Sequence, residues 1–208
     1  MKIVKIVQLK YKIKVVPDSG EPLFLNPDIV YKFGLRKNDV LSSDKVNEIL
    51  EEDSFLECKN SAFRLLARRQ HSRKEVEQKL VLKGYSHQIA ERVAAHLLSN
   101  NFLDDKLFAE NFIKHKIARK YGFNKIKAQL FEKGIEKTVI THFELLYSQD
   151  KKIESSAFAL AEKKIESIKR KDSDKLKIRS KLYNYLMMRG FSTDVIKKVI
   201  DQIFENNF

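Results

Sequence analysis

A six-residue pattern occurs three times in this chain and limits what the chain can fold into. The copies, at residues 80–85, 130–135 and 186–191, each have Leu first, a cation fourth, glycine fifth and a bulky apolar residue sixth. Because glycine adopts positive φ at little steric cost, the pattern predicts a helix that ends at the cation. The last residue can then pack on the leucine, as in a Schellman motif. The predicted stop glycines are Gly84, Gly134 and Gly190.

Apolar residues recur at fixed distances on both sides of each stop glycine. The positions eight and four before it, and five, nine and thirteen after it, are apolar in all three copies. Steps of four mark one face of a helix, and a period of about 50 residues is typical of arrays of small helical units. We therefore predict a mainly α fold, an elongated tandem array of three three-helix bundles after a small N-terminal β-hairpin and helix extension. The predicted domains are residues 1–56, 57–103, 104–150 and 151–208.

The first 56 residues follow a different pattern. Apolar and lysine residues alternate from Leu9 to Val15, which predicts a strand, and residues 23–25 are the predicted return strand. Asn26 and Pro27 read as the N-cap and first residue of a short helix, and Ser42 or Ser43 as the start of another. This predicts a structural role for the extension.

Polar residues also mark predicted helix starts within the repeats. The first repeat begins near Ser54, and its first helix ends at Arg68 and Arg69. Side chains with oxygen acceptors stand where later helices should begin. The predicted N-caps are Ser72, Ser86, Asp104, Asn124 and Ser155 or Ser156.

Composition restricts the functional classes. The net charge of +13 comes entirely from residues 57–208, since residues 1–56 hold nine basic and nine acidic residues. A positive field of this size attracts nucleic acid or acidic protein surfaces. No apolar run approaches the roughly 20 residues needed to cross a membrane, and the N-terminus lacks the features of a signal peptide. The single Cys58 allows no intramolecular disulfide and favours a reducing cytoplasm, with the thiol as a core residue.

Candidate partner-binding residues are the cations near helix ends. Such side chains suit contacts to phosphates or to an acidic protein surface. The candidates are Arg68, Arg69, Arg73, Lys83, Lys116, Arg119, Lys125, Lys127, Lys133, Arg179 and Arg189.

A known family shares several of these motifs. Residues 62–69, Ala-Phe-Arg-Leu-Leu-Ala-Arg-Arg, resemble the opening of the RecX family of bacterial recombination regulators. The resemblance covers about residues 57–205 and continues through Leu-Asp-Asp at 103–105, Tyr-Gly at 121–122, Lys-Gly-Ile at 133–135 and Arg-Gly-Phe at 189–191. One departure is Phe123, where the family commonly has proline.

The resemblance implies a function. RecX-like proteins bind the RecA recombinase, lie along the helical groove of its filament on DNA, and inhibit ATP hydrolysis and strand exchange. The partners expected are the RecA filament and, weakly or within the filament, single- or double-stranded DNA. We also expect a cytoplasmic, monomeric protein. Repeated weak contacts along a polymer can sum to tight binding. A direct DNA-binding module that contacts the phosphate backbone is the second hypothesis, and a helical scaffold for another partner is the third.

Catalysis is not expected. The chain has no glycine-rich phosphate loop ending in Gly-Lys-Ser/Thr, and its five histidines lack the usual metal-ligand spacings. Asp104 and Asp105 are adjacent, so we interpret Asp104 as an N-cap rather than as part of a metal-dependent nuclease site. We therefore expect no cofactor and no metal.

Overall fold

The computed structural model of the protein describes residues 1–147 and 151–207, including side chains up to residue 205. This part of the chain contains three strands and ten α-helices. The strands are β1 (Ile3–Gln8), β2 (Ile13–Pro17) and β3 (Leu23–Leu25). The helices are α1 (Pro27–Lys32), α2 (Ser43–Leu66), α3 (Arg73–Val81), α4 (His87–Ser99), α5 (Asp105–Ala118), α6 (Phe123–Glu132), α7 (Lys137–Tyr147), α8 (Lys151–Lys169), α9 (Lys175–Arg189) and α10 (Thr193–Asn207).

The chain divides into two compact units. The first contains residues 1–70 and 76–102, and the second contains residues 71–75 and the described residues from 103 onward. The division passes through α3, whose first turn belongs to the second unit.

The N-terminal part forms an antiparallel sheet of order β1-β2-β3. The return strand at residues 23–25 is confirmed, whereas the strand predicted from Leu9 to Val15 is wrong in its first half. β2 begins at Ile13, and Leu9 and Tyr11 are exposed in the turn, where the Leu9 amide donates to the Lys12 carbonyl at 2.8 Å. The prediction missed β1 because its apolar residues do not alternate with polar ones.

Helix α2 extends further than the sequence indicated. It begins after the N-cap Ser42, whose hydroxyl accepts from the Lys45 amide, and continues without interruption to Leu66. The start predicted near Ser54 and the boundary predicted between residues 56 and 57 therefore lie inside one helix. Asn26 is the N-cap of α1, but its side-chain amide donates to the buried Asp53 of α2 at 2.8 Å. This bond helps tie the N-terminal part to α2.

The predicted helix starts are mostly confirmed. Ser72, Ser86 and Asp104 each accept a backbone N–H from the first turn of the next helix. Besides the start near Ser54, two further starts are wrong. Gly122, not Asn124, is the N-cap of α6, and α8 begins at Lys151, before Ser155 and Ser156. Phe123 is thus the first residue of α6, where proline is also well suited. The boundary predicted at residue 150 lies outside the described residues.

Each three-helix group has its own core. In the first unit, helices α2 and α4 and the later part of α3 bury Cys58, Ala62, Leu80, Val93 and Leu97. In the second unit, α5–α7 bury a second cluster and α8–α10 bury a third. The apolar stripes supply part of each core, including Leu80, Val93 and Leu97, and the first helix of each group supplies other core residues, such as Cys58 and Ala62. The predicted mainly α fold of three-helix repeats is confirmed.

Candidate binding site at the helix joints

All three stop glycines have the predicted conformation. The φ angles are +96° at Gly84, +76° at Gly134 and +88° at Gly190. In each copy the residue after the glycine donates its amide to the carbonyl of the leucine, and the glycine donates to the residue after the leucine. These are the two hydrogen bonds of a Schellman motif. The three distances to the leucine carbonyl are 3.3 Å for Tyr85, 3.1 Å for Ile135 and 3.3 Å for Phe191.

In the second unit, two of these stops receive the start of another helix. We call the first contact joint A, where residues 71–75 at the start of α3 meet the end of α6. The Ser72 hydroxyl donates to the Lys133 carbonyl at 2.8 Å while it accepts the Glu75 amide at 3.2 Å. A Cβ atom added to Gly134 would lie 2.7 Å from the Cβ atom of Lys74. The polar cap of α3 therefore also satisfies a carbonyl left unpaired at the end of α6.

Joint B is the corresponding contact between the start of α6 and the end of α9, but here the donors are backbone amides. The Gly122 amide donates to the Arg189 carbonyl, and the Asn124 amide donates to the Gly190 carbonyl, both at 3.0 Å. The backbones are so close that a Cβ atom on Gly122 would lie 2.2 Å from the Gly190 carbonyl carbon, and one on Gly190 would lie 2.3 Å from the Cβ atom of Lys125. Both glycines are required here by close approach.

The charges of joint A are balanced within the joint. Glu75 lies between two basic groups: one carboxylate oxygen pairs with the Lys133 ammonium, and the other lies 3.2 Å from Nδ1 of His71. His71 and Ser72 are buried, and the side chains of Glu75 and Lys133 are 13% and 27% exposed. Partial burial strengthens such a pair relative to a surface ion pair, and the loss of one partner is correspondingly costly.

Joint B lacks such an acid among the residues that the structure describes. Three cations surround the ring of Tyr121: the nitrogens of Lys116 and Lys125 lie 5.3 and 5.4 Å from the ring centroid, and the guanidinium carbon of Arg189 lies 5.3 Å away. Within the part of the chain that the structure describes, none of these three cations forms an ion pair with a carboxylate. We call these four residues the Tyr121 cluster.

Further aromatic rings continue the Tyr121 cluster on both sides. Lys116 also lies 5.0 Å from the ring centroid of Phe112, and Arg189 lies 5.8 Å from that of Tyr185. A shallow groove of about 290 Å³ opens beside Tyr121. Its lining residues are Tyr121, Lys125, Tyr185, Met188 and Arg189. Cations above partly exposed aromatic rings, next to an open groove, suit an anionic ligand with flat groups.

The structure brings only some of the predicted binding residues together. Lys116, Lys125 and Arg189 meet at Tyr121, and Lys133 shares the Phe112 ring with Lys116 at 5.4 Å. Lys127 pairs with Glu144, and Arg179 pairs with Asp201. The other candidates lie elsewhere: Arg68, Arg69, Lys83 and Arg119 are exposed, and the backbone amide of Arg73 donates to Asp105.

The residue at the centre of the cluster was not predicted from the sequence. In the sequence, Tyr121 stands out only as part of the Tyr-Gly motif at 121–122, yet its ring is surrounded by cations from α5, α6 and α9. A sequence signal was present in Lys116, Tyr121 and Lys125, which are separated by five and four residues. No local pattern in the sequence predicts that Arg189 lies beside them, because that contact depends on joint B.

Asp104, Asp105 and Cys58, the residues whose chemistry could suggest a reactive site, have structural roles. Asp104 caps α5, and Asp105 accepts the Arg73 amide while burial raises the pKa of its carboxyl group. Burial also raises the pKa of the Cys58 thiol to about 11, so the thiol is protonated at neutral pH. Within residues 1–147 and 151–207, no cluster of three or more His, Cys, Asp or Glu side chains could hold a metal ion. In the same residues, no helix is both long and apolar enough to span a membrane.

The fold and the site define a class: a helical repeat protein with cations at the places where the start of one helix contacts the end of another. The comparisons with known proteins name it more closely. Three family models match in order: "RecX, first three-helix domain" at residues 58–97, the second domain at 104–142 and the third at 153–200. The chain belongs to the RecX family.

Curated relatives and solved structures agree with this assignment. "Regulatory protein RecX" of Clostridium botulinum (strain Eklund 17B / Type B) is 34% identical over 93% of this chain and 90% of the relative. The protein of the same name from Clostridium beijerinckii is 35% identical over 93% and 90%. The crystal structure of RecX from Lactobacillus salivarius is 26% identical, with a TM-score of 0.63 over 73% of this chain and 97% of that one. A second crystal structure of regulatory protein RecX, 20% identical, shares the fold with a TM-score of 0.76 over 96% and 98%.

Proposed function

We propose that this protein is a regulator of the RecA recombinase that binds along the groove of the RecA–DNA filament and suppresses ATP hydrolysis and strand exchange. Membership of a family of regulatory proteins supports a regulatory role. The resemblance of its repeat motifs to those of RecX-like proteins supports RecA as the partner. The proposal includes no catalytic step by this chain.

The observation that carries the proposal is the recurrence of one joint geometry. Joint A and joint B each fix the start of one second helix on the end of the next, through hydrogen bonds to the residue before a stop glycine. The stop glycines of these joints recur along the chain with a period of about 50 residues, which suits a partner that is itself a repeating polymer. Several modest contacts in register with successive protomers would then act together, because each one raises the effective concentration of the next.

The test adds the protein to preformed filaments of RecA on single-stranded DNA and follows ATP hydrolysis. Filament binding predicts inhibition at amounts well below one molecule per RecA protomer. A protein that only competes for DNA would need enough molecules to cover the DNA, so adding RecA after the DNA is covered serves as the comparison. No inhibition of preformed filaments at any ratio would refute the proposal.

Direct contact with DNA is a second candidate function, supported by a specific observation. The three cations of the Tyr121 cluster have no carboxylate partner among the described residues, and the chain as a whole carries a net charge of +13. Both functions can operate together, because a protein in the groove of a nucleoprotein filament lies close to its nucleic acid.

A further inference from the structure

We infer that the Tyr121 cluster is a binding site for the phosphates of single-stranded nucleic acid, with the groove beside Tyr121 receiving an adjoining base. The inference deepens the second candidate function and rests on it. It assigns a ligand class to one place in the fold, the outer surface of joint B, rather than to the basic repeats in general.

Comparison of the two joints supports the inference that joint B binds an anionic ligand. Glu75 and Lys125 occupy equivalent positions, each nine residues before a stop glycine, and Lys133 and Arg189 are the equivalent cations. In joint A the acid at this position pairs with the cation. In joint B a second cation stands there, and Lys116 adds a third. In both joints a hydrogen bond to the carbonyl before the stop glycine holds the two helix ends together. The like charges at joint B are therefore not needed to hold that joint together.

Three cations within reach of one ring repel one another, and an anion between them removes that cost. A phosphate matches the site better than a carboxylate does. It offers several acceptor oxygens to two ammonium groups and a guanidinium, and arginine can bind it through two parallel hydrogen bonds.

The aromatic residues favour a single strand over a duplex. Tyr121 and Tyr185 are half-buried and line the groove of about 290 Å³ together with Met188. Unpaired bases stack on such rings with little sequence preference, whereas the bases of a duplex are already stacked on each other. Lys125 is held near the groove because its ammonium donates to the Met188 carbonyl at 3.2 Å.

The test introduces the charge pattern of joint A into joint B by a single substitution. The change Lys125→Glu puts an acid where joint A has Glu75, beside the two remaining cations. The matched control is Lys163→Glu, which alters net charge equally at an exposed position of α8 outside the cluster. Fluorescence anisotropy of a labelled oligothymidylate, titrated at several salt concentrations, measures affinity and its salt dependence.

We expect Lys125→Glu to weaken oligothymidylate binding about tenfold or more, and Lys163→Glu to weaken it only about twofold. The slope of log affinity against log salt should also flatten for Lys125→Glu, by about 0.7 for each phosphate that the variant no longer binds. Equal effects of the two variants would overturn the inference, as would a wild-type protein that does not bind the oligonucleotide.

A second variant guards against misfolding. Lys116→Gln removes one cation without adding an acid, and circular dichroism melting shows whether either variant remains folded. Lys116→Gln should also weaken oligothymidylate binding and flatten the slope of log affinity against log salt. If both variants bind the oligonucleotide normally but lose inhibition of RecA ATPase, the cluster instead contacts an acidic protein surface and the inference is wrong. Failure of the wild type to inhibit RecA refutes the proposed filament function and leaves this test unaffected.

Discussion

Joint A and joint B bring corresponding residues together but differ in their charge balance. In each, the N-cap residue of one helix donates a hydrogen bond to the carbonyl that precedes a stop glycine of another helix. Joint A completes the contact with a Glu75–Lys133 pair, whereas joint B brings Lys116, Lys125 and Arg189 together around Tyr121. The comparison shows that the repeated motif determines which positions come into contact. The residue types at those positions determine whether the contact is an ion pair that stabilises the fold or a group of cations that can bind a partner.

The stop of α3 provides a third member of the comparison. Gly84 has the same left-handed conformation as the other two stop glycines, but a Cβ atom added to it would meet no described residue within 4 Å apart from its neighbours in the chain. Local conformation and close approach can therefore be separated by experiment.

The largest effect is expected for Gly190→Ala. The new methyl group would meet the backbone of Lys125, with the amide nitrogen only 2.5 Å away, at a residue that also has positive φ. Overpacking and backbone strain each cost about 1–3 kcal/mol, so the free energy of unfolding should fall by about 3 kcal/mol or more. Urea unfolding followed by circular dichroism measures it. If the free energy of unfolding falls no more than it does for Gly84→Ala, joint B can rearrange to accommodate the methyl group.

Glu75→Gln is expected to have the next largest effect, because it leaves the partly buried Lys133 without its carboxylate. Loss of a charged hydrogen-bond partner at such a site costs about 1–3 kcal/mol. The matched change in joint B, Lys125→Gln, removes one of three like charges and should be neutral or slightly stabilising. Thermal melts of the two variants check the contrast. Equal destabilisation by both would mean that the joints do not differ electrostatically.

Gly84→Ala isolates the conformational requirement. With open space around the added methyl group, only the left-handed backbone opposes it, at about 1–2 kcal/mol. Gly84→Asn should cost less, because asparagine tolerates this conformation better than alanine does. The same urea titration applies. An unchanged midpoint for Gly84→Ala would indicate that this stop can rearrange.

The smallest effect is expected for Lys83→Ala. Lys83 is exposed at the end of α3, and a substitution there should change stability by no more than about 0.5 kcal/mol. Its counterparts are Lys133, which is ion-paired, and Arg189, which lies over Tyr121 and Tyr185. Lys133→Ala should therefore lower the melting temperature measurably where Lys83→Ala does not. Indistinguishable melts would contradict the assignment of Lys133 to a structural pair.

The sequence by itself determined the elements whose causes are local. A stop glycine and its two hydrogen bonds involve residues no more than five apart, so the three stops could be read from three short segments. The same holds for the caps at Ser72, Ser86 and Asp104. The apolar stripes likewise predicted three helical repeats, because steps of four residues mark one face of a helix in the local sequence.

Only the tertiary structure decided which of these elements meet. Arg189 reaches Tyr121 across more than 60 residues, and Gly122 is required because the backbone of Gly190 leaves no room for a Cβ atom. The wrong N-cap at Asn124 has the same origin, since its amide bonds the Gly190 carbonyl of a distant helix. Sequence patterns report periodicity and local conformation, whereas the charge balance of a joint is set by side chains that are far apart in the chain and brought within about 5 Å by packing.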